Sequence, residues 1–396
     1  MREIGVAIIG TGFMSGVHVE ALRRVGVTVT GILGSTPEKS ERSAAKLELP
    51  RAYVSLEQLL ADSAVHSVHV NTPNRLHVSQ AAAALRAGKH VMCEKPLAMN
   101  SRESFELLKI SAAHPRQVAA VNYNIRFYPL CHEAREMIQR GEAGRVFHIT
   151  GSVAQDWLLK DSDYNWRVRA EEGGALRALS DIGSHWLDLI HFITGLEVEA
   201  VFADYVTVHP VRRRPTGEVE TFSNASKSEQ HSEAVPVSTD DYGSVLIRFA
   251  GGTRGNLWVS QVSPGRKYCI HVEIAGQQKT IAWNSEECEQ LWIGQRDAAN
   301  SALMRDPSLL RDAARNVSDY PGGHTEGYPD TFKQCFRSFY RYIADGDFNA
   351  PRSFATFEDG HRDILLCDAF VESARRGSWV ALDELRARTE AERGEP

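Results

Sequence analysis

Ile4-Gly5-Val6-Ala7-Ile8-Ile9-Gly10-Thr11-Gly12-Phe13-Met14-Ser15-Gly16 is the stretch on which the fold turns. Its opening run of small and β-branched apolar residues reads as a strand buried on both faces, as parallel sheets require. The run ends in glycines spaced as in G-x-G-x-x-G/A, the turn that seats a dinucleotide pyrophosphate on the N-terminus of the next helix. Gly10 supplies the tight turn and Gly12 the close backbone approach. Ser15, in the third position, is small enough for the helix to pack on the strand. The motif alone is common; its weight comes from context, because strand, turn, helix and a second strand follow in order.

Outward from this stretch, strand-like runs at Val27–Leu33, Ser67–Asn71, His90–Cys93 and Gln117–Val121 alternate with helical patterns. These cover Met14–Val25, Pro37–Leu47, Leu56–Ala61, Arg75–Ala87 and Ser101–Ala113. Such alternation implies a parallel sheet with helices on both faces. From about Arg145 the texture changes. Val146–Val153, Val198–Val208, Tyr242–Phe249, Gly255–Val262, Tyr268–Ala275 and Lys279–Trp283 read as longer strands, several joined by short glycine turns that suit antiparallel hairpins. Ser180–Thr194 reads as one helix stopped by Gly195, and a further helix runs from about Thr325 to Ala344. The reading divides the chain into a dinucleotide-binding domain (1–123), an α+β domain (124–384) and a charged, frayed tail (385–396). Val211–Pro236 is polar and reads as an exposed loop or flap, with Arg212-Arg213-Arg214 as a solvated charge run.

Composition narrows the function. The 396 residues are 42% hydrophobic and carry a formal net charge of -6. That charge argues against nucleic acid as the main partner, since phosphate contacts need clustered Lys and Arg. Nothing near the start reads as a signal peptide, and no stretch approaches the roughly 20 apolar residues that span a bilayer. The six scattered cysteines include no C-x-x-C pair, so reduced thiols in the cytoplasm are expected, with no membrane association.

Chemistry gathers at two places. Lys95 follows the fifth strand, and ligands of doubly wound sheets bind beyond the carboxyl ends of the strands. Asp181, His185 and Asp188, at i, i+4 and i+7, share one face of the expected helix among large apolar neighbours, and buried polar groups need partners. A neutral histidine there can take a hydroxyl proton. His191 is turned away from that face. With no H-E-x-x-H and no cysteine cluster, no metal is expected. The second strand ends in Gly34-Ser35-Thr36 with no carboxylate. Ser35, Thr36, Lys39 and Arg42 suit a ribose phosphate, so NAD and NADP both stand as candidates.

Together the Gly10–His18 stretch, Asn71-Thr72-Pro73-Asn74-Arg75-Leu76-His77, Cys93-Glu94-Lys95-Pro96 and Asp181-Ile182-Gly183-Ser184-His185-Trp186-Leu187-Asp188 resemble the glucose–fructose oxidoreductase, inositol dehydrogenase and rhizopine-catabolism family. The resemblance implies an α/β protein: an N-terminal Rossmann doubly wound parallel sheet plus a C-terminal α+β domain with an open, mainly antiparallel sheet that serves a homo-oligomer, dimer or tetramer. It implies hydride transfer between a nicotinamide and a secondary alcohol carbon of a sugar, glycoside or cyclitol. Lys95, His185 and Asp181 would be catalytic. Gly10, Gly12, Phe13, Met14, Ser35, Thr36, Lys39, Asn71, Thr72, Pro73, His77, Glu94 and Lys95 would meet the cofactor. Asn122, Tyr123, Arg126, Trp157, Trp166 and Arg167 would join Lys95, Asp181 and His185 around the substrate, with Tyr164 close by. Two rival outcomes are redox-assisted glycoside cleavage with cofactor recycling and a non-enzymatic dinucleotide sensor.

Overall fold

The structure is a computed structural model that describes residues 3–216 and 232–391. Every residue of β1 (Gly5–Ile9) is buried, as the sequence pattern demands. With β2 (Thr28–Leu33), β3 (Ala52–Tyr53), β4 (Ser67–Val70), β5 (His90–Cys93) and β6 (Ala119–Val121) it forms a six-stranded parallel sheet in the order β3-β2-β1-β4-β5-β6. The strand order reverses between β1 and β4, and the crevice at their carboxyl ends is where such sheets bind ligands. On one face pack Val19 and Leu22 of the Phe13–Val25 helix with Phe332, Phe336 and Phe339 of Tyr328–Asp345; on the other pack Ala81, Leu85 and Leu107. A helix from near the end of the chain therefore closes the N-terminal unit.

The second sheet has nine strands. β7 (Val146–Ala154), β8 (Val198–Val206), β11 (Tyr242–Phe249), β12 (Arg254–Ser260), β13 (Cys269–Gly276), β14 (Thr280–Asn284), β15 (Gln290–Gly294), β16 (Ser301–Met304) and β17 (Val380–Ala381) lie in the order β16-β15-β14-β13-β7-β12-β11-β8-β17. Only β7 and β12 pair in parallel among these described strands. A separate hairpin joins β9 (Val211–Pro215) to β10 (Ser232–Pro236).

One face of the large sheet is covered. Trp186, fully buried, lies on it and donates through Nε1 to the His271 carbonyl at 3.0 Å. Burying an indole of about 200 Å² contributes about 5 kcal/mol. It requires Gly151 opposite, where an added Cβ would sit 2.0 Å from Trp186 Nε1. This contact fixes the helix that carries His185. The Phe357–Arg376 helix packs against both Ser101–Ala112 and β8, tying the two sheets together.

Four sequence expectations change. Ser180–Thr194 is not one helix: Ala178–Asp181 and Gly183–Thr194 are separated at Ile182. The Asp181 carbonyl sits at that break and accepts from Lys95. Val211–Pro236 is not a plain loop, because its two ends pair as β9 and β10; residues 217–231 lie outside those described. Within it Arg212 is fully buried rather than solvated. The charged tail does not fray at once either, since Leu382–Ala391 is helical. No helix among the described residues is long and apolar enough to cross a membrane.

Candidate active site

Glu94 and Lys95 follow the carboxyl end of β5, and Lys95 reaches across to the other unit. Lys95 Nζ donates to the Asp181 carbonyl at 2.6 Å and to Asp181 Oδ1 at 2.8 Å. Asp181 Oδ1 also accepts from Arg167 Nε at 3.3 Å, and Oδ2 from Gln261 Nε2 at 3.2 Å. Burial works to raise the Asp181 pKa, yet Lys95 and Arg167 hold it well below the usual carboxylate range.

His185 lies in the first turn beyond Asp181, 5% exposed, with Tyr123 and Tyr268 edge-on at 5.8 Å and 6.3 Å. Burial first, and the Lys95 charge second, push its pKa down to about 3. The ring is therefore neutral near pH 7. Its Nδ1 is buried and has no hydrogen-bond partner among the described residues, and Asn122 Oδ1 and Gln261 Oε1 share that condition. Buried polar atoms without partners are rare, and a cluster of them marks a place for a polar ligand or water.

Glu94 is held from behind. Its Oε1 lies 2.8 Å from His18 Nε2 and accepts from Asn122 Nδ2 at 2.6 Å, while Oε2 accepts from the Lys95 backbone N–H at 3.3 Å. Burial would raise its pKa, but His18, Asn122 and Lys95 bring it down to about 2. His18 Nδ1 meets His69 Nδ1 at 2.8 Å, and His69 Nε2 meets the Tyr340 hydroxyl at 2.7 Å. The Tyr340 hydroxyl in turn donates to Ser67 Oγ at 3.2 Å. A buried line of groups thus keeps Glu94 ionised beside Lys95.

The glycine turn fits a dinucleotide. Gly10 has φ 113°, and a Cβ there would lie 2.5 Å from the Asn71 carbonyl oxygen. At Gly12 a Cβ would meet nothing within 4 Å, so the backbone faces open space. The helix from Phe13 has no acidic residue in its first turn and no capping side chain among the described residues. Ser15 Oγ donates to the Gly10 carbonyl at 2.9 Å and locks the turn. Asn71, at the end of β4, has both side-chain polar atoms buried and unpartnered. Gly10–Met14 would hold the pyrophosphate of a bound dinucleotide, with Asn71 beside it.

Two family models match the chain. Residues 4–123 match an oxidoreductase family with an NAD-binding Rossmann fold, and residues 131–282 match the GFO/IDH/MocA C-terminal domain. The chain belongs to the GFO/IDH/MocA oxidoreductase family. A levoglucosan dehydrogenase of Pseudarthrobacter phenanthrenivorans is 29% identical over 405 residues, covering 98% of this chain and 100% of that protein. A levoglucosan dehydrogenase solved with NADH and L-sorbose superposes with a TM-score of 0.85 at 29% identity, covering 96% of this chain and 99% of that one. An oxidoreductase domain protein from Kribbella flavida gives a TM-score of 0.86 at 28% identity, covering 96% and 100%.

The GFO/IDH/MocA chain distributes the remaining expected site residues unevenly. Phe13 is half exposed beside the glycine turn, whereas Met14 packs partly into the core. Ser35 and Thr36 are exposed beyond β2; Thr36 caps the next helix by accepting from the Lys39 backbone N–H at 3.3 Å. Thr72 Oγ1 donates to Gln80 at 2.7 Å, and Pro73 precedes a helical turn from Asn74. His77 is buried against the backbone around Lys95. Its buried ring bridges the carbonyls of Thr72 and Pro96, each at 2.8 Å, and so braces the turn that follows Lys95.

Arg126 is held by partners on the Gly183–Thr194 helix. It is buried and forks on to Asp188 at 2.7 Å and 2.5 Å, with its guanidinium over the Phe192 ring. Asp188 is thereby a partner for Arg126. Burial raises the Asp188 carboxyl to about 6 against the pull of Arg126. Trp157 and Trp166 are half-buried, the first donating to Gln155 at 3.0 Å and the second carrying Arg167 4.3 Å from its ring centre. Gln261 and His18 escaped the sequence reading as site residues. Gln261 gave no signal, being one polar residue near the end of the expected Gly255–Val262 strand. His18 did: it sits on the inward face of its helix, where a polar ring needs a partner. Among the described residues no group of three or more His, Cys, Asp or Glu is arranged to hold a metal.

Proposed function

We propose that this chain is an NAD-dependent dehydrogenase that oxidises a secondary hydroxyl of a compact pyranose-like sugar, an anhydrosugar first among them. One observation carries the reading: the Lys95 ammonium, tied to Asp181, and the unpartnered Nδ1 of neutral His185 come together at the carboxyl edge of a parallel sheet whose glycine turn accepts a dinucleotide. The names of its relatives agree, since the levoglucosan dehydrogenases are solved with NADH and either levoglucosan or L-sorbose.

In this reading the hydroxyl binds between Lys95 and His185. Lys95 donates to its oxygen and stabilises the alkoxide as it forms. His185 takes the proton through a ring nitrogen. Asp181 and Glu94 favour the imidazolium that results, as both already act to raise the His185 pKa. Gln261 and Arg167 keep Asp181 oriented. Trp157 and Trp166 offer flat apolar surfaces to the sugar ring. The bound nicotinamide supplies the hydride acceptor.

The open face of the nine-stranded sheet exposes Leu246, Trp258 and Trp292 at 50%, 40% and 40%. So large an apolar surface marks an interface, and a second copy of the chain is its proposed cover. All six cysteines are free thiols, which suits the cytoplasm.

The test is a substrate panel with purified protein: levoglucosan and other anhydrosugars, aldopyranoses, ketohexoses and cyclitols, each with NAD+ and with NADP+. Reduced cofactor accumulating in step with a ketone product supports the reading. Binding of NADH without oxidation of any member contradicts it. Release of a free sugar from a glycoside with no net reduced cofactor supports the cleavage chemistry instead.

A further inference from the structure

Arg212 belongs to a run of three arginines, yet its side chain is fully buried while Arg213 and Arg214 are exposed. All four of its terminal N–H bonds have acceptors. Nη1 donates to the carbonyls of Lys160 and Asp163, both at 2.9 Å. Nη2 donates to the Leu158 carbonyl at 3.0 Å and to Asp241 Oδ1 at 2.6 Å. Three of these acceptors come from one six-residue stretch that has no helix or strand to satisfy its carbonyls. The same hairpin adds the Arg213 backbone N–H to Asp161 at 2.9 Å and places His209 Nε2 2.8 Å from the Leu159 carbonyl.

The stretch so held leads directly to the cleft. Trp157 lies just before it, and Tyr164, Trp166 and Arg167 just after it. Leu158, Tyr164 and Val168 pack with Val237 in a small core of their own, separate from the main one. Asp241 Oδ1 also accepts from Arg177 Nη2, and Asp240 accepts from the backbone N–H groups of Arg177 and Leu179 at 2.5 Å and 2.9 Å. Those residues begin the short helix that ends in Asp181. One buried carboxylate pair therefore anchors both the aromatic segment and the helix bearing the Lys95 partner.

We propose that Arg212 is a positioning residue for substrate: the β9–β10 hairpin uses it to hold residues 157–168, and with them Trp157 and Arg167, at the sugar-facing wall of the cleft. The proposal rests on the reading that those side chains face the sugar. A lysine cannot replace the arginine, because a single ammonium has three donors at one point, whereas these four acceptors are spread around a planar fork. The four acceptors of the Arg212 fork lie on Leu158, Lys160, Asp163 and Asp241, none of them a glycine-turn residue, so its effect falls on the sugar and spares the dinucleotide.

The experiment compares wild type with Arg212→Lys, which keeps the buried charge beside Asp241, and with Arg212→Met. The readouts are sugar KM and kcat, NADH affinity by fluorescence titration, and amide hydrogen exchange. For Arg212→Lys the expected result is a sugar KM raised about tenfold or more, the size of one or two lost hydrogen bonds. kcat stays within about threefold and the NADH Kd within about twofold, the pattern of lost ground-state binding. Exchange speeds up across 157–168 and is unchanged in 183–194. An unchanged sugar KM with unchanged exchange overturns the proposal, as does an equal loss of sugar and NADH affinity. If wild type oxidises no sugar, the substrate reading fails, and the exchange comparison still decides whether Arg212 holds the segment. If Arg212→Met does not fold, Arg212→Lys carries the test.

Discussion

Replacing Lys95 with methionine removes the ammonium while keeping most of the side-chain volume. Two contacts disappear, at 2.6 Å and 2.8 Å to Asp181, together with the charge that would face a developing alkoxide. Asp181 keeps Arg167 and Gln261, so the fold should survive. Removing one preorganised donor from such a site costs about 3–4 kcal/mol in the transition state, or about 10²–10³ in kcat. A linked effect has a definite sign. Lys95 is the second cause, after burial, of the low His185 pKa of about 3. Without it that pKa rises, so the acid limb of the residual activity must move to higher pH. The assay follows reduced-cofactor formation at saturating NAD+ and sugar across the acid range, with NADH titration to show that the cofactor site is intact. Turnover within about fivefold of wild type would refute the assignment, being under a third of the expected loss in free energy. So would an acid limb that moves to lower pH.

Two further outcomes are expected. His132 is buried against Phe127 and Phe192, and burial, then Arg135 and Arg126, lower its pKa from 6.5 to about 3. The unfolded chain binds the proton that the folded one refuses. The resulting stability is full above pH 6.5 and is lost as pH falls toward about 3. Between about pH 7.5 and about pH 5 wild type should lose about 2 kcal/mol more than His132→Leu, read from urea unfolding midpoints; equal losses would show that the folded ring titrates normally. Separately, Leu246→Arg with Trp258→Arg should reduce the mass measured by light scattering to that of a single chain, and an unchanged mass would mean that the open sheet face is not the contact.

The parts of the fold that were legible depend on local physics. Gly5–Ile9 reads as a doubly buried strand because all five residues are in fact buried, and Gly10 follows because its backbone angle and the nearby Asn71 carbonyl admit no side chain. Lys95 was legible from its place after the fifth strand. What escaped depends on distant partners. Arg212 looks solvated until carbonyls some fifty residues earlier in the chain are folded around it. Asp188 has the right helical spacing to join Asp181, yet Arg126 takes it, and Ile182 interrupts the helix on which that spacing was counted. Gln261 becomes a site residue only because β12 ends beside Asp181. Besides His18, a second omission was avoidable: Thr356-Phe357-Glu358-Asp359 is a capping box, and it starts the helix that joins the two sheets.

The central claim is that the neutral imidazole of His185 removes the hydroxyl proton while Lys95 steadies the oxygen. Its most direct test is single-turnover formation of reduced cofactor by His185→Ala, with NAD+ and the best sugar from the panel both saturating, beside wild type under the same conditions. Loss of the general base should slow this step by about 10²–10⁴ while NADH still binds. A His185→Ala enzyme that forms reduced cofactor at the wild-type rate would contradict the account.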